Sequence, residues 1–180
     1  MHPTSPLVSQ LSRRRFLESS AAGLLLAALG PAALLRADTS ALGPAHRKAM
    51  AESPLVYVTP LRSDGGESRC HAEVWFVADG DDILVVTNPE RWRAAAIQKG
   101  LDRARVWIGD YGIWKKSEGR FKQAPTLLVH GRIDKDRAVH ARALEKFGAK
   151  YSDGWSKWGP RFRKGLADGS RVLIRYSPVS

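Results

Sequence analysis

The chain has 180 residues, with 29 Lys and Arg against 18 Asp and Glu, and a formal net charge of +11. Its length suits one domain with its own core, and its charge favours anionic partners such as phosphates, nucleotides, acidic polymers or anionic lipid. The single cysteine, Cys70, excludes an intramolecular disulfide, thiolate zinc sites and iron–sulfur clusters. We expect Cys70 to pack as a small apolar residue inside a strand, the alternative being an intermolecular bridge.

The first 37 residues have the features of an export signal. The segment Ser12–Leu17 is basic, and it precedes an apolar run from Ala21 to Leu35. It resembles a twin-arginine (Tat) signal of the pattern S-R-R-x-F-L-K, with Glu18 at the lysine position. The alternatives are an ordinary Sec signal and a retained anchor, for which the run is short and interrupted by Gly and Pro.

The resemblance to a Tat signal implies that the protein is exported folded, by the Tat translocon, to a periplasmic or extracellular location. Many Tat substrates take this route because a cofactor is inserted in the cytoplasm. Cleavage after Ala37 would remove residues 1–37 and leave 143 residues with a net charge of +8. Residues 38–52 are then expected to form a polar leader with a short helix from about Pro44.

The next segments predict β-strands joined by tight turns. Leu55–Leu61 has strand composition, and Ser63–Glu67 supplies the glycine-containing turn of a hairpin. A second strand is predicted over Ser68–Ala78, where alternation gives one apolar face that includes Cys70. After a turn at residues 79–82, the uniformly apolar run Ile83–Thr87 predicts an inner strand.

A helix is predicted to follow this inner strand. Asn88 can cap it, Pro89 suits its first turn, and Gly100 stands at the usual stop position after Lys99. The remaining predicted elements are the strands Arg105–Gly109, Pro125–Ile133 and Arg171–Tyr176 and the helices Lys135–Phe147 and Arg161–Ala167. At least six strands and three helices without regular βαβ alternation predict a mainly β fold with peripheral helices (α+β).

Several motifs along this order resemble those of the FMN-binding split β-barrels. This superfamily includes the pyridoxamine 5'-phosphate oxidase-like and deazaflavin-dependent nitroreductase-like proteins. The motifs are Tyr57-x-Thr59, Glu73-Val74-Trp75-Phe76, Leu84–Thr87, Lys150-Tyr151 and the closing Leu173–Tyr176. The resemblance implies a six- to seven-stranded antiparallel split β-barrel over residues 53–180. It also implies a homodimer with two equivalent cofactor sites.

The resemblance also places a phosphate site after the third strand, with a family pattern like T-x-x-x-S-x-K. Thr87 matches the threonine, Arg91 replaces the serine and Arg93 takes the lysine position. Arginines near the start of a helix suit a dianionic phosphate, whereas the alternative is a solvated helix face. Arg69, beside the first hairpin, and Trp75, as a stacking surface, complete the candidate cofactor-binding set.

Two functional hypotheses follow. The first is an exported oxidoreductase that uses FMN or the deazaflavin F420, on a substrate that the sequence does not specify. Catalytic side chains are not assigned, because a flavin supplies the redox chemistry. The second is a non-catalytic protein that holds a cofactor or haem on the same barrel. His71, His130 and His140 have no metal-ligand spacing, and nucleic-acid binding would rest on charge and aromatic residues alone.

Overall fold

The computed structural model describes residues 42–179, in which the chain forms seven β-strands and four α-helices. The strands are β1 (Val56–Pro60), β2 (Ala72–Val74), β3 (Val77–Asp79), β4 (Asp82–Thr87), β5 (Arg103–Ile108), β6 (Thr126–Asp134) and β7 (Val172–Pro178). The helices are α1 (Pro44–Glu52), α2 (Trp92–Gln98), α3 (Arg137–Lys150) and α4 (Ser152–Asp168). No helix in this part of the chain is both long and apolar enough to cross a bilayer.

The strands form one antiparallel sheet in the order β2-β1-β5-β6-β7-β4-β3. The two edge strands, β2 and β3, are consecutive in the chain and are separated only by Trp75 and Phe76. Three residue steps span at most about 11 Å, so the two edges of the sheet must approach one another. The sheet therefore curls into a barrel that is split between β2 and β3, and the predicted seven-stranded antiparallel split β-barrel is confirmed.

The split interrupts the single strand predicted over Ser68–Ala78, and that prediction is wrong in two respects. Alternation continues on both sides of the split, but β2 pairs with β1 whereas β3 pairs with β4. Cys70 is exposed and precedes β2, because residues 68–71 form no strand, so it is not a buried strand residue.

Tyr151 makes hydrogen bonds with the backbone of Phe76 at the split between β2 and β3. Its hydroxyl oxygen accepts a hydrogen bond from the Phe76 N–H (2.9 Å) and lies 2.7 Å from the Phe76 carbonyl oxygen. The Phe76 side chain is fully buried in the apolar cluster that fills the barrel. Tyr151 thus joins the region where α3 meets α4 to the edge of the barrel.

Helices α3 and α4 cover the outer face of β3, β4 and β7. Val139, Ala143 and Phe147 of α3 are buried there, and the predicted inward residue Leu144 packs against them while half-buried. The helix predicted over Arg161–Ala167 extends nine residues further towards the N-terminus, to Ser152. Pro160 lies inside α4, and the packing of Trp155, Trp158 and Phe162 on the α3 side outweighs its cost to helix stability.

The predicted start of the helix after β4 is also corrected. Helix α2 begins at Trp92 with Arg91 at the N-cap position, three residues later than a helix starting at Pro89. Asn88 does not cap it, because the Asn88 Oδ1 accepts a hydrogen bond from the Glu90 N–H (2.7 Å) and closes a local turn.

An ion cluster centred on the buried side chain of Arg175 connects the strands near the start of β4. Arg175 of β7 donates to Asp134 at the end of β6 (2.9 Å), to Asp82 at the start of β4 (2.6 Å) and to Asp79 at the end of β3 (3.1 Å). Lys146 of α3 adds a hydrogen bond to Asp79 (2.8 Å). The cluster therefore cross-links four strands to helix α3.

Candidate functional site

A cleft of about 480 Å³ opens where β2, the end of β4, the start of α2 and α4 meet. It contains three arginines and a single carboxylate, and three aromatic side chains form much of its wall. The arginines are Arg91, Arg93 and Arg171, the carboxylate is Glu73, the aromatic residues are Trp75, Trp158 and Phe162, and the remainder is Val74, Val86, Thr87 and Asn88.

Arg93 lies in the first turn of α2 and reaches back to the end of β4. Its side chain is half-buried, and its Nη1 donates a hydrogen bond to the buried Oγ1 of Thr87 (2.5 Å). Burial lowers the pKa of Arg93 below its ordinary value, and the nearby Arg91 acts in the same direction. Among residues 42–179, no carboxylate lies within ion-pair distance of Arg93, and the more distant Glu73 only partly opposes the effect of burial on its pKa.

The other two arginines approach the cleft from different elements. Arg91 is exposed at the start of α2, and Arg171 immediately precedes β7. The guanidinium carbon of Arg171 lies 5.3 Å from the ring centre of Phe162. Its stem runs over Gly165, where a Cβ would lie 2.6 Å from the Arg171 Cγ, so α4 needs a glycine at this position.

The single carboxylate of the cleft is engaged with the backbone. The Oε2 of Glu73 accepts a hydrogen bond from the Trp114 N–H at 3.2 Å. Three guanidinium groups therefore face one carboxylate, and the cleft carries an excess of positive charge. Such a cleft attracts anions, and arginine forks match the oxygen atoms of a phosphate.

The aromatic wall is held rigidly. The Trp75 ring stacks on Tyr151 with centroids 4.3 Å apart, and it meets Trp158 edge-on at 6.4 Å. A Cβ at Gly154 of α4 would lie 2.5 Å from the Trp75 ring, so the helix backbone approaches the indole directly. A wall of fixed rings beside clustered cations suits a ligand that combines an aromatic body with an anionic group.

The structure brings together four of the five residues that the sequence indicated. Thr87, Arg91, Arg93 and Trp75 line this cleft, whereas Arg69 is exposed and is not part of its lining. The sequence did not single out Trp158, Phe162 and Arg171 as site residues. The four-residue spacing of Trp158 and Phe162 marks one face of a helix, but the prediction began that helix at residue 161.

Within residues 42–179, no group of three or more His, Cys, Asp and Glu side chains is placed to hold a metal ion. The cleft itself is lined by none of the side chains that usually ligate haem iron, because it contains no His, Cys, Met or Tyr. The residues present therefore fit a phosphorylated aromatic cofactor better than they fit a ligated haem.

Known protein-family models do not match this chain, and neither does any curated protein. Solved structures do resemble it. A conserved hypothetical protein of Mycobacterium tuberculosis matches 81% of this chain and 85% of its own, with 14% identity and a TM-score of 0.52. The haem-storage protein HutZ of Vibrio cholerae matches 77% of this chain and 91% of its own, with 13% identity and a TM-score of 0.51.

ChuZ of Campylobacter jejuni gives a third likeness. It matches 73% of this chain and 50% of its own, with 9% identity and a TM-score of 0.51. At such identities a likeness establishes the architecture and not the ligand. Together with the strand order, these matches show that residues 42–179 have the split β-barrel fold.

Proposed function

We propose that the cleft binds a phosphorylated flavin-type cofactor, FMN or a deazaflavin, and that the protein is an exported oxidoreductase that uses it. The observation that carries the proposal is the charge of the cleft. Three arginines converge there, and the half-buried Arg93 has no carboxylate partner among the described residues. Burying a charge without a counter-ion costs free energy, and a bound phosphate would offset that cost.

The residues have separable roles in this proposal. Arg93, oriented by Thr87, would bind phosphate oxygens together with Arg91 and Arg171. Trp75 and Trp158 would hold the apolar ring system and exclude water from it. When bound, the flavin would supply hydride or electron transfer, and the protein would contribute orientation and positive charge.

Haem binding on the same barrel is the second candidate, and the likeness to the haem-storage protein HutZ is its specific support. The arginines of the cleft suit haem propionates as well as phosphate. A haem in this cleft would, however, need an iron ligand from outside its lining residues. The flavin proposal requires no such additional residue.

The test is a titration of the purified protein with FMN, riboflavin and haem, each followed by its visible spectrum and by flavin fluorescence where it applies. We expect FMN to bind, and to bind more tightly than riboflavin, which lacks the phosphate. A Soret band that forms at stoichiometric haem, with no FMN affinity, would move the function to haem binding. Equal affinity for FMN and riboflavin would remove the phosphate from the proposal.

Oxidoreductase activity needs its own measurement. We expect bound FMN to be bleached anaerobically by an electron donor and to reappear with an acceptor. A bound flavin that resists reduction by every donor tried, including dithionite, would leave a binding protein without turnover.

We also propose that the protein is a homodimer, as the family resemblance implies. The measurement is light scattering at micromolar concentration, with and without FMN. We expect twice the mass of one chain. A stable monomer in the presence of bound cofactor would contradict both the dimer and the family's mode of binding.

Export by the Tat pathway is the remaining part of the proposal, and its motif lies outside the described residues. Because the Tat receptor distinguishes guanidinium from ammonium groups, Arg13→Lys with Arg14→Lys should block export. Arg36→Lys, in the same leader but outside the motif, is the matched control. Unimpaired export of the double variant in a host that lacks other routes would exclude the Tat pathway.

A further inference from the structure

A second cleft, of about 590 Å³, lies on the other side of Arg171. It is formed by the end of β6, the outer face of α3, the C-terminal half of α4 and the start of β7. Its apolar side chains are all aliphatic, and the imidazole of His140 is the only aromatic ring among the lining residues. They include Ile133, Leu144, Leu166, Val172 and Leu173.

Four cations surround this aliphatic floor. They are Lys135, Arg137, Arg163 and Arg171, and none of them is within ion-pair distance of a carboxylate in the described part of the chain. Arg163 and Arg171 lie over the rings of Trp155 and Phe162, but a cation–π contact leaves their charge uncompensated.

The only carboxylate that lines this cleft is already occupied. Asp134 is buried, and it accepts hydrogen bonds from the Arg175 side chain (2.9 Å) and from the Asp136 N–H (3.1 Å). His140 is likewise engaged, because its Nε2 lies 2.7 Å from the Asp134 carbonyl oxygen. The cations of the rim are therefore available to a ligand, and no free acid within the cleft competes for them.

We propose that this second cleft binds a small amphipathic anion, namely an aliphatic chain that ends in a carboxylate. The chain would cover the floor of Leu144, Leu166 and Val172, and burial of its methylene groups would provide most of the affinity. The head would be held by Arg137 and Arg163 at the rim. Aliphatic lining favours a flexible chain over a flat ring, for which stacking partners are expected.

The proposal does not depend on the flavin site, because Arg137 and Arg163, which would hold the head, line only this cleft; the two clefts share Arg171 alone. Calorimetric titration of the full-length protein with decanoate, below its micelle-forming concentration, tests it. Acetate supplies the head without the chain, and decanol supplies the chain without the charge. We expect decanoate to bind at one site per chain, about tenfold or more tightly than either fragment.

Variants locate the site. Arg137→Gln with Arg163→Gln should weaken decanoate binding by about tenfold, because two charged donors are lost, and should leave FMN binding unchanged. Arg103→Gln with Lys157→Gln removes two exposed cations outside the cleft and is the matched control. Ala141→Trp, at an exposed α3 position that lines the cleft, should block binding without unfolding the helix, as checked by circular dichroism.

Three outcomes would overturn the proposal. The first is absence of decanoate binding, and the second is binding that decanol matches or that the cleft variants leave intact. The third is binding to anionic phospholipid vesicles without affinity for decanoate, which would make the cleft part of a membrane-facing surface. If the wild-type protein binds decanoate but does not bind FMN, the proposed function is contradicted and the present proposal is not.

Discussion

The two ends of β4 hold two shielded arginines in opposite electrostatic states. At its start, Asp82 pairs with Arg175, which is 7% exposed and also contacts Asp79 and Asp134. At its end, Thr87 accepts a hydrogen bond from Arg93, which has no carboxylate partner within residues 42–179. Desolvation alone would lower the pKa of Arg175, but its hydrogen bonds to three aspartates raise it overall, whereas burial lowers the pKa of Arg93.

The difference separates a structural charge from one that is available to a ligand. Arg175 has its positive charge compensated within the protein, so it holds strands together and offers nothing to an anion. Arg93 is fixed by one neutral hydroxyl, and among residues 42–179 its positive charge has no carboxylate at ion-pair distance, since Glu73 acts on it only from further away in the cleft. Uncompensated charge in a concave site is typical of binding sites, while compensated buried charge is typical of a scaffold.

The largest expected effect is a loss of stability when the ion cluster around Arg175 is disrupted. Asp134→Asn removes one carboxylate from Arg175 and leaves its buried guanidinium partly unpaired, so we expect a loss of about 3–5 kcal/mol in the free energy of unfolding. Urea denaturation followed by tryptophan fluorescence measures it. Asp102→Asn is the control, because its ion pair with His130 is about half exposed and should contribute less than about 1 kcal/mol. Equal losses in the two variants would contradict the structural role of the cluster.

The same cluster should make the fold sensitive to acid. Hydrogen bonds from Lys146 and Arg175 hold the pKa of Asp79 below its ordinary value. Burial opposes this effect in Asp134, but Arg175 lowers its pKa overall. Because both folded-state pKa values lie below the unfolded value near 3.8, their stabilisation is complete well above pH 4.

We therefore expect the urea midpoint to fall as the pH is lowered from about 4 through the depressed values, as both carboxylates become protonated. Asp134→Asn should show a shallower decrease, since one of the two groups no longer titrates. An identical pH profile in the variant and the wild-type protein would show that other groups control acid unfolding.

The sequence predicted the cleft residues that lie close together in the chain, but not the cleft residues that tertiary contacts bring from distant positions. Thr87, Arg91 and Arg93 lie within seven residues, so a strand followed by a helix brings them to one cleft even though α2 starts later than predicted. Trp158 and Arg171 reach that cleft from positions 65 or more residues further along the chain. The periodicity of a sequence carries no information about contacts at such separations.

The same reasoning explains the errors within the barrel. The alternation of residues 68–78 is unchanged where β2 ends and β3 begins, because the break reflects a change of pairing partner and not of polarity. Two of the aspartates around Arg175, Asp79 and Asp82, belong to the turn predicted at residues 79–82, and Asp134 lies between a predicted strand and a predicted helix, so their local sequence does not indicate a shared partner. Turn chemistry itself was predictable, as Gly65 in the first hairpin has a φ of 80°.

The next effect concerns Arg93, near the end of β4, and rests on the proposed flavin site. Arg93→Met keeps an apolar stem and removes the charge, so we expect FMN affinity to fall by about 1.5–3 kcal/mol, or roughly 10- to 150-fold. Riboflavin, without the phosphate, should lose much less. Fluorescence titration gives both values, and Arg103→Met, an exposed arginine of β5, is the control. Equal losses for the two flavins would mean that Arg93 supports the shape of the cleft instead of binding phosphate.

The smallest effect distinguishes the two arginines most directly. In the cofactor-free protein, Arg93→Met removes a charge that is desolvated without an ionic partner, which stabilises the fold, and it removes the hydrogen bond to Thr87, which destabilises it. These opposing contributions are each about 1 kcal/mol, so the free energy of unfolding should change by less than about 1 kcal/mol. Arg175→Met should instead remove the guanidinium shared by three buried or half-buried carboxylates, of which Asp79 keeps Lys146 as a partner, and destabilise by about 3–5 kcal/mol. Parallel urea titrations compare the two variants without cofactor. A similar large loss in both would mean that Arg93, like Arg175, is a structural residue whose charge the folded chain already requires.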